Sequence, residues 1–238
     1  MKKRMLLLSN SKCYQMGYLE HAEDYIKNYL GAAVKKVLFV PFAGVTMTWD
    51  DYTAKVTERF NAMGYEMEGI HRAPDPAAAV RSAEALAVGG GNTFYMLHHL
   101  YESGILEAVR ERVAEGMPYM GWSAGSNVAC PTIKTTNDMP IVQPESFDAL
   151  GLIPFQINPH YTDATIPQHQ GETRADRLAE FIEANPEVYV VGLKEGGVLR
   201  VEGDSMELLG DRDMLLFKKG EETKTFKPGD PISFLLKL

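Results

Sequence analysis

The chain has 238 residues, 45% hydrophobic and 24% charged, with a formal net charge of −8. That length suits one α/β domain covering residues 1–238, and no apolar run approaches the roughly 20 residues of a membrane span. The acidic balance, with no Lys/Arg cluster among aromatics, argues against a nucleic-acid partner.

The N-terminus begins basic and then apolar, as an export signal does. Its apolar stretch is too short for one, so Met5 to Leu8 reads as a buried strand and the cytoplasm is the expected compartment. A helix follows, with Leu19, Ala22, Ile26, Tyr29 and Leu30 on one face. Val37 to Val40 is a second strand ending in Pro41-Phe42-Ala43-Gly44. Trp49-Asp50 opens a helix whose inner face is Tyr52, Val56, Phe60 and Met63. Tyr65 to Ile70 and Ala85 to Val88 are further strands, the latter running into Gly89-Gly90-Gly91-Asn92. Helices cover Thr93 to Glu102 and Ile105 to Glu115, and the strand Pro118 to Trp122 leads into Ser123. Strands alternating with helices imply an α/β fold, a mostly parallel sheet with helices on both faces. After Glu195 the pattern changes. Val198 to Val201 and Met206 to Leu209 flank a turn and form a C-terminal β-hairpin extension. Met214 to Phe217 and Ile232 to Leu236 follow as strands on the edge of the same domain.

Gly121-Trp122-Ser123-Ala124-Gly125 fits the G-x-S-x-G elbow, a strand-to-helix turn that exposes a serine hydroxyl. The helix that follows would direct free N–H groups, and its dipole, at developing negative charge. Gly89-Gly90-Gly91-Asn92-Thr93 lacks the spacing of a dinucleotide loop, because Phe94 stands where the last glycine belongs. It suits half of an oxyanion hole, with Gly91 and Ala124 as donors, or a tight structural turn. A serine nucleophile needs a base. Of the six histidines, His160 stands out, because it ends a short apolar run behind Pro159. His21 and His71 lie far upstream, and His169 lies in a polar loop. His98 and His99 are neighbours on a helix and are expected to point apart, which argues against a shared metal. Cys13 and Cys130 have no CxxC spacing, which argues against a zinc site or a disulfide scaffold. Two carboxylates could orient the histidine. Glu195 follows the strand Val188 to Leu193, and Asp138 sits in the loop Thr135 to Pro140.

Taken together, these segments resemble the peptidase E family, the aspartyl dipeptidases. The matching stretches are Leu6 to Ser11, Pro41 to Thr46, Gly69 to Arg72, Gly89 to Phe94, Gly121 to Gly125, Cys130 to Ile133, Thr135 to Pro140, Asn158 to His160 and Gly171 to Arg174. The Gly192 to Gly196 turn follows, and the tail beyond about Arg200 matches loosely. Ser126 stands where an alanine is expected in a close relative; it should not alter the chemistry.

The resemblance implies a fold like the class I glutamine amidotransferases, with serine in place of their cysteine. It implies Ser123 as nucleophile, His160 as base and Glu195 as orienting acid. It also implies that only N-terminal Asp is accepted and that no cofactor or metal is needed. Selectivity for Asp over Asn demands a cation, and Arg174 is the candidate. Asp138 would hold the free ammonium, and Asn92 completes the substrate-binding set. The expected partner is a small acidic dipeptide, with no membrane partner and with a homodimer left open. Two rival readings are a cyanophycinase-like peptidase acting on longer acidic polymers and a non-catalytic binding protein. The Asp138 loop and the Gly171 to Arg174 segment disfavour the first, and the intact Ser123, His160 and Glu195 disfavour the second.

Overall fold

In the computed structural model, which describes residues 3–165 and 170–238, the first strand (β1, Arg4–Leu8) lies inside a sheet rather than on its edge. Its neighbours are Lys36–Val40 (β2), Glu66–Gly69 (β3), Leu86–Val88 (β4) and Tyr119–Trp122 (β5), all running parallel in the order β3-β2-β4-β5-β1. The hairpin Val198–Glu202 (β8) and Ser205–Leu209 (β9) extends this sheet antiparallel from β1, giving seven strands.

Alternation along the strands divides the core between the two faces. Leu6, Leu8, Val37, Phe39, Met120 and Trp122 pack under the helices Glu23–Leu30 (α1) and Trp49–Ala62 (α2). Met5, Leu7, Leu38, Val40, Leu86, Val88 and Tyr119 face the other way. There they meet Pro76–Ser82 (α3), Thr93–Glu102 (α4) and Leu106–Ala114 (α5). Burying one such side chain stabilises the fold by about 1.5–3 kcal/mol. Covering both faces is what a parallel sheet requires.

Not every strand joins this sheet. Gln156–Tyr161 (β6) and Val190–Lys194 (β7) pair parallel in a second, four-stranded sheet, continued antiparallel by Met214–Phe217 (β10) and Lys224–Phe226 (β11). The segment expected as a strand at Ile232 to Leu236 is instead a 3₁₀ turn, Ser233–Lys237. Ile232 and Leu235 are buried while Phe234 is exposed, so the inward spacing is three residues rather than two. The strand expected to run to Ile70 stops at Gly69, where a 3₁₀ turn over Ile70–Arg72 begins. Helix α3 was not expected; Asp75 caps it and Pro76 opens it. The loop expected around His169 lies outside the described residues. Among the described residues, no helix is long and apolar enough to cross a membrane.

His21 sits in a 3₁₀ turn, Glu20–Ala22, with both ring nitrogens buried and without hydrogen-bond partners. Burial lowers its pKa from the ordinary 6.5, and the Glu195 charge opposes this. The unfolded chain therefore takes up the proton first, and the folded state loses stability as pH falls from about 6.5 through the lowered value. Melting temperatures between pH 8 and pH 5 should fall more steeply for the parent than for His21→Phe; coincident slopes would show that His21 carries no such linkage.

Candidate active site

Because β1, β2, β4 and β5 are parallel, their carboxyl ends share one edge, where sites on such sheets form. Ser123 follows β5 at φ 53° and ψ −112°, and its N–H donates to Leu8 O (3.1 Å). Such a positive φ on a non-glycine residue is the strain expected of an elbow. The turn is possible because Gly125 slides beneath β4: a Cβ there would lie 2.1 Å from Val88 O. The helix after the serine, Ala124–Asn127 (α6), is a single turn. Its dipole is correspondingly small, so the individual N–H groups matter more than the macrodipole expected from sequence. Ser126 Oγ lies 2.7 Å from Leu8 O and 2.9 Å from Gly121 O, anchoring that turn.

The imidazole of His160 arrives from the second sheet. The β6–β7 register shifts between Asn158 and Tyr161, and inside this bulge His160 takes φ 52°. A bulge re-aims a side chain, and here Nε2 comes to 2.9 Å from Ser123 Oγ. Nδ1 lies 2.7 Å from Glu195 Oε1, just past β7, so Nδ1 carries the proton and donates it to the carboxylate.

Two residues not singled out from sequence hold this pair against β1. The His160 N–H donates to Ser9 Oγ (2.9 Å), whose hydroxyl donates to Leu193 O (2.8 Å). The Gly196 N–H donates to Asn10 Oδ1 (2.8 Å). Their signals in the sequence were a polar pair directly after a buried strand and a place within the matching stretch Leu6 to Ser11, neither of which names a partner.

Asp138 makes no hydrogen bond to the imidazole. Its Oδ2 accepts from Thr93 N (2.7 Å), Thr93 Oγ1 (2.6 Å) and Thr136 Oγ1 (3.1 Å). Asn92 caps α4, accepting from Tyr95 N (3.0 Å), and its amide donates to Met139 O (2.9 Å). Both ends of that amide are thus engaged within the protein. Arg174 opens the helix Arg174–Ala184 (α7). The partners it could have taken are occupied: Glu172 pairs with Arg177 (3.6 Å), and Asp176 closes a capping box with Thr173 (2.7 Å). Burial and Arg177 lower the Arg174 pKa, while Asp138 opposes them.

A cleft of about 730 Å³ is lined by Ser123, His160, Gly91, Asn92, Asp138 and Arg174, among others. Gly91 has φ 133° and lies so close to Ala43 O that no side chain would fit. Ala124 is buried directly behind Ser123. His98 and His99 do not diverge as expected. His98 Nε2 lies 3.3 Å and His99 Nδ1 2.7 Å from Glu102 carboxylate oxygens, outside the cleft lining.

A serine, an imidazole and a carboxylate in hydrogen-bonded series at a strained elbow form a hydrolytic arrangement. Residues 5–209 match the model of peptidase family S51. The chain belongs to that family. It is a serine peptidase. It is 53% identical to peptidase E of a Nostoc species over 99% of this chain and 98% of that one. To peptidase E of Salmonella newport it is 49% identical, over 94% of this chain and 98% of that one. The crystal structure of a peptidase from an acI-B1 actinobacterium has the same fold, with a TM-score of 0.72 at 19% identity over 98% of each chain.

Within this S51 peptidase, Ser9→Ala removes the hydroxyl between His160 N–H and Leu193 O. Two stranded buried groups should cost about 1–3 kcal/mol in urea unfolding. Misplacement of the imidazole should lower peptidase activity roughly ten- to a hundredfold. Full activity with unchanged stability would show that β1 does not hold His160.

Proposed function

We propose that the chain removes N-terminal aspartate from Asp-X dipeptides through Ser123, His160 and Glu195. Ser123 Oγ attacks the peptide carbonyl as His160 Nε2 takes its proton. Glu195 holds the imidazole in the tautomer that leaves Nε2 free to accept, and stabilises the imidazolium that forms. The N–H groups of Gly91 and Ala124 hold the oxyanion. His160 then returns the proton to the leaving amine, and water, activated by the same imidazole, releases aspartate from the ester on Ser123. The relay distances of 2.9 Å and 2.7 Å on the two sides of one ring support this order of roles.

The observation that carries the substrate reading is the charge beside Ser123. Among the described residues, Arg174 has no ion-pair partner. It lines the same cleft as the serine and Asp138. A guanidinium and a carboxylate in one cleft match the β-carboxylate and α-ammonium of one N-terminal aspartate. Arginine's planar fork accepts a carboxylate with two parallel hydrogen bonds. Asp138 keeps Oδ1 for the ammonium, since the three protein bonds above converge on Oδ2. Asn92 serves this site through its cap and its bond to the Asp138 loop.

Ser123→Ala should lower turnover of Asp-Leu on the order of 10⁶-fold and leave the circular dichroism spectrum unchanged. Activity above a few percent would exclude the serine mechanism. Arg174→Ala removes one partner of a charge pair, a loss of about 3–5 kcal/mol when desolvated. Its kcat/KM for Asp-Leu should fall by roughly two orders of magnitude or more, and the preference over Asn-Leu should narrow. A variant that rejects Asn-Leu as strongly as the parent would place the selectivity on other residues.

A further inference from the structure

Besides the His160 imidazole, three ionisable side chains charged at neutral pH line the cleft around Ser123: Arg174, Asp138 and Lys55. The proposed chemistry uses the first two. Lys55 lies on α2, one turn beyond Tyr52. Its ammonium sits 4.6 Å from the centroid of the Tyr18 ring. Among the described residues, no carboxylate is within ion-pair distance of it, whereas Lys194, beside the site, is held by Asp163 (2.6 Å) and Asp213 (3.1 Å). A cation–π contact holds such an ammonium in place without neutralising it.

The face of α2 that carries Lys55 is tied to the reacting centre by a chain of contacts. Tyr18 OH lies 3.2 Å from Tyr52 OH. Tyr52 OH donates to Gly90 O (3.0 Å), and a Cβ on Gly90 would lie 3.1 Å from Ser123 Cβ. Lys55 therefore flanks the serine from the α2 side, whereas Arg174 and Asp138 approach from α7 and the Asp138 loop.

An Asp-X dipeptide at neutral pH carries one ammonium and two carboxylates. The cleft carries one carboxylate and two cations, and in the reading above Arg174 and Asp138 account for both charges of the aspartyl residue. One charge remains on each side. Resting on the dipeptidase reading above, we infer that Lys55 binds the free C-terminal carboxylate of the residue that leaves. This contact selects substrates two residues long, because a third residue or a C-terminal amide takes the carboxylate away from the ammonium. An unpaired, strongly hydrated point charge suits a carboxylate whose position shifts with the identity of the second residue, where a rigid fork would not.

The test compares Asp-Leu, Asp-Leu amide and Asp-Leu-Leu on the parent, Lys55→Met and Lys55→Arg, with melting temperatures to confirm folding. The parent should prefer Asp-Leu over its amide by roughly 10- to 100-fold in kcat/KM, the range of a charge-assisted hydrogen bond. Lys55→Met should lose that preference through a higher KM for Asp-Leu, with kcat and the rate on the amide within about twofold of the parent. Lys55→Arg should recover part of it. Equal losses on Asp-Leu and on its amide, or an undiminished preference in Lys55→Met, would overturn the assignment while leaving the Arg174 reading intact. A parent that cleaves neither Asp-Leu nor its amide would overturn the dipeptidase reading and this inference with it.

Discussion

Gly125 passes under Val88 with no room for a Cβ, which would collide with the Val88 carbonyl oxygen. That close crossing lets the chain turn from β5 into α6 within one residue and holds Ser123 at a backbone angle it would not otherwise keep. The turn brings Ser123 N–H to Leu8 O and Ser126 Oγ to the same carbonyl, so β1 is locked to the elbow. With β1 fixed, Ser9 and Asn10 follow at its end and reach β6 and β7. Each later feature of the site inherits its position from that first steric constraint.

The cleft assembles opposing charges instead of concentrating one sign. A chain with a net charge of −8 still presents Lys55, Arg174 and Asp138 in the cleft around its serine elbow. Local arrangement thus decides what can bind, and the overall acidity acts only as a distant, salt-screened field.

The main sheet was legible in the sequence because its signals were local. Five apolar runs bounded by glycine, proline or polar residues became five strands, and α4 ran from Thr93 to Glu102 as its periodicity indicated. The second sheet was not legible, since nothing in Gln156 to Tyr161 or Val190 to Lys194 says which sheet a strand will join. Partner choice is a long-range property. The same limit applied to the acid opposite His160. Asp138 and Glu195 both stood in plausible loops, and what separates them is the parallel pairing of β6 with β7 and three hydrogen bonds that occupy one Asp138 oxygen. Ser9 and Asn10 act across more than 150 residues of chain, beyond the reach of any local pattern. At the tail, Ile232 to Leu236 misled because five consecutive residues fit both a two- and a three-residue period until burial distinguishes them.

Ser123 follows a strand of the seven-stranded sheet, while His160 lies in a strand of the four-stranded one and Glu195 follows another. The relay between them closes only when the two sheets are docked, and Ser9 and Asn10 are its nearest clasps. On the proposed mechanism, hydrolysis would be a gauge of quaternary-like fit inside one chain. If Ser123 and His160 act as proposed, a shift of about an ångström between the sheets would lower activity while every strand kept its backbone ladder. On gentle heating, inactivation should run ahead of the far-ultraviolet signal, and the interval between the two curves would measure how firmly one sheet is seated against the other.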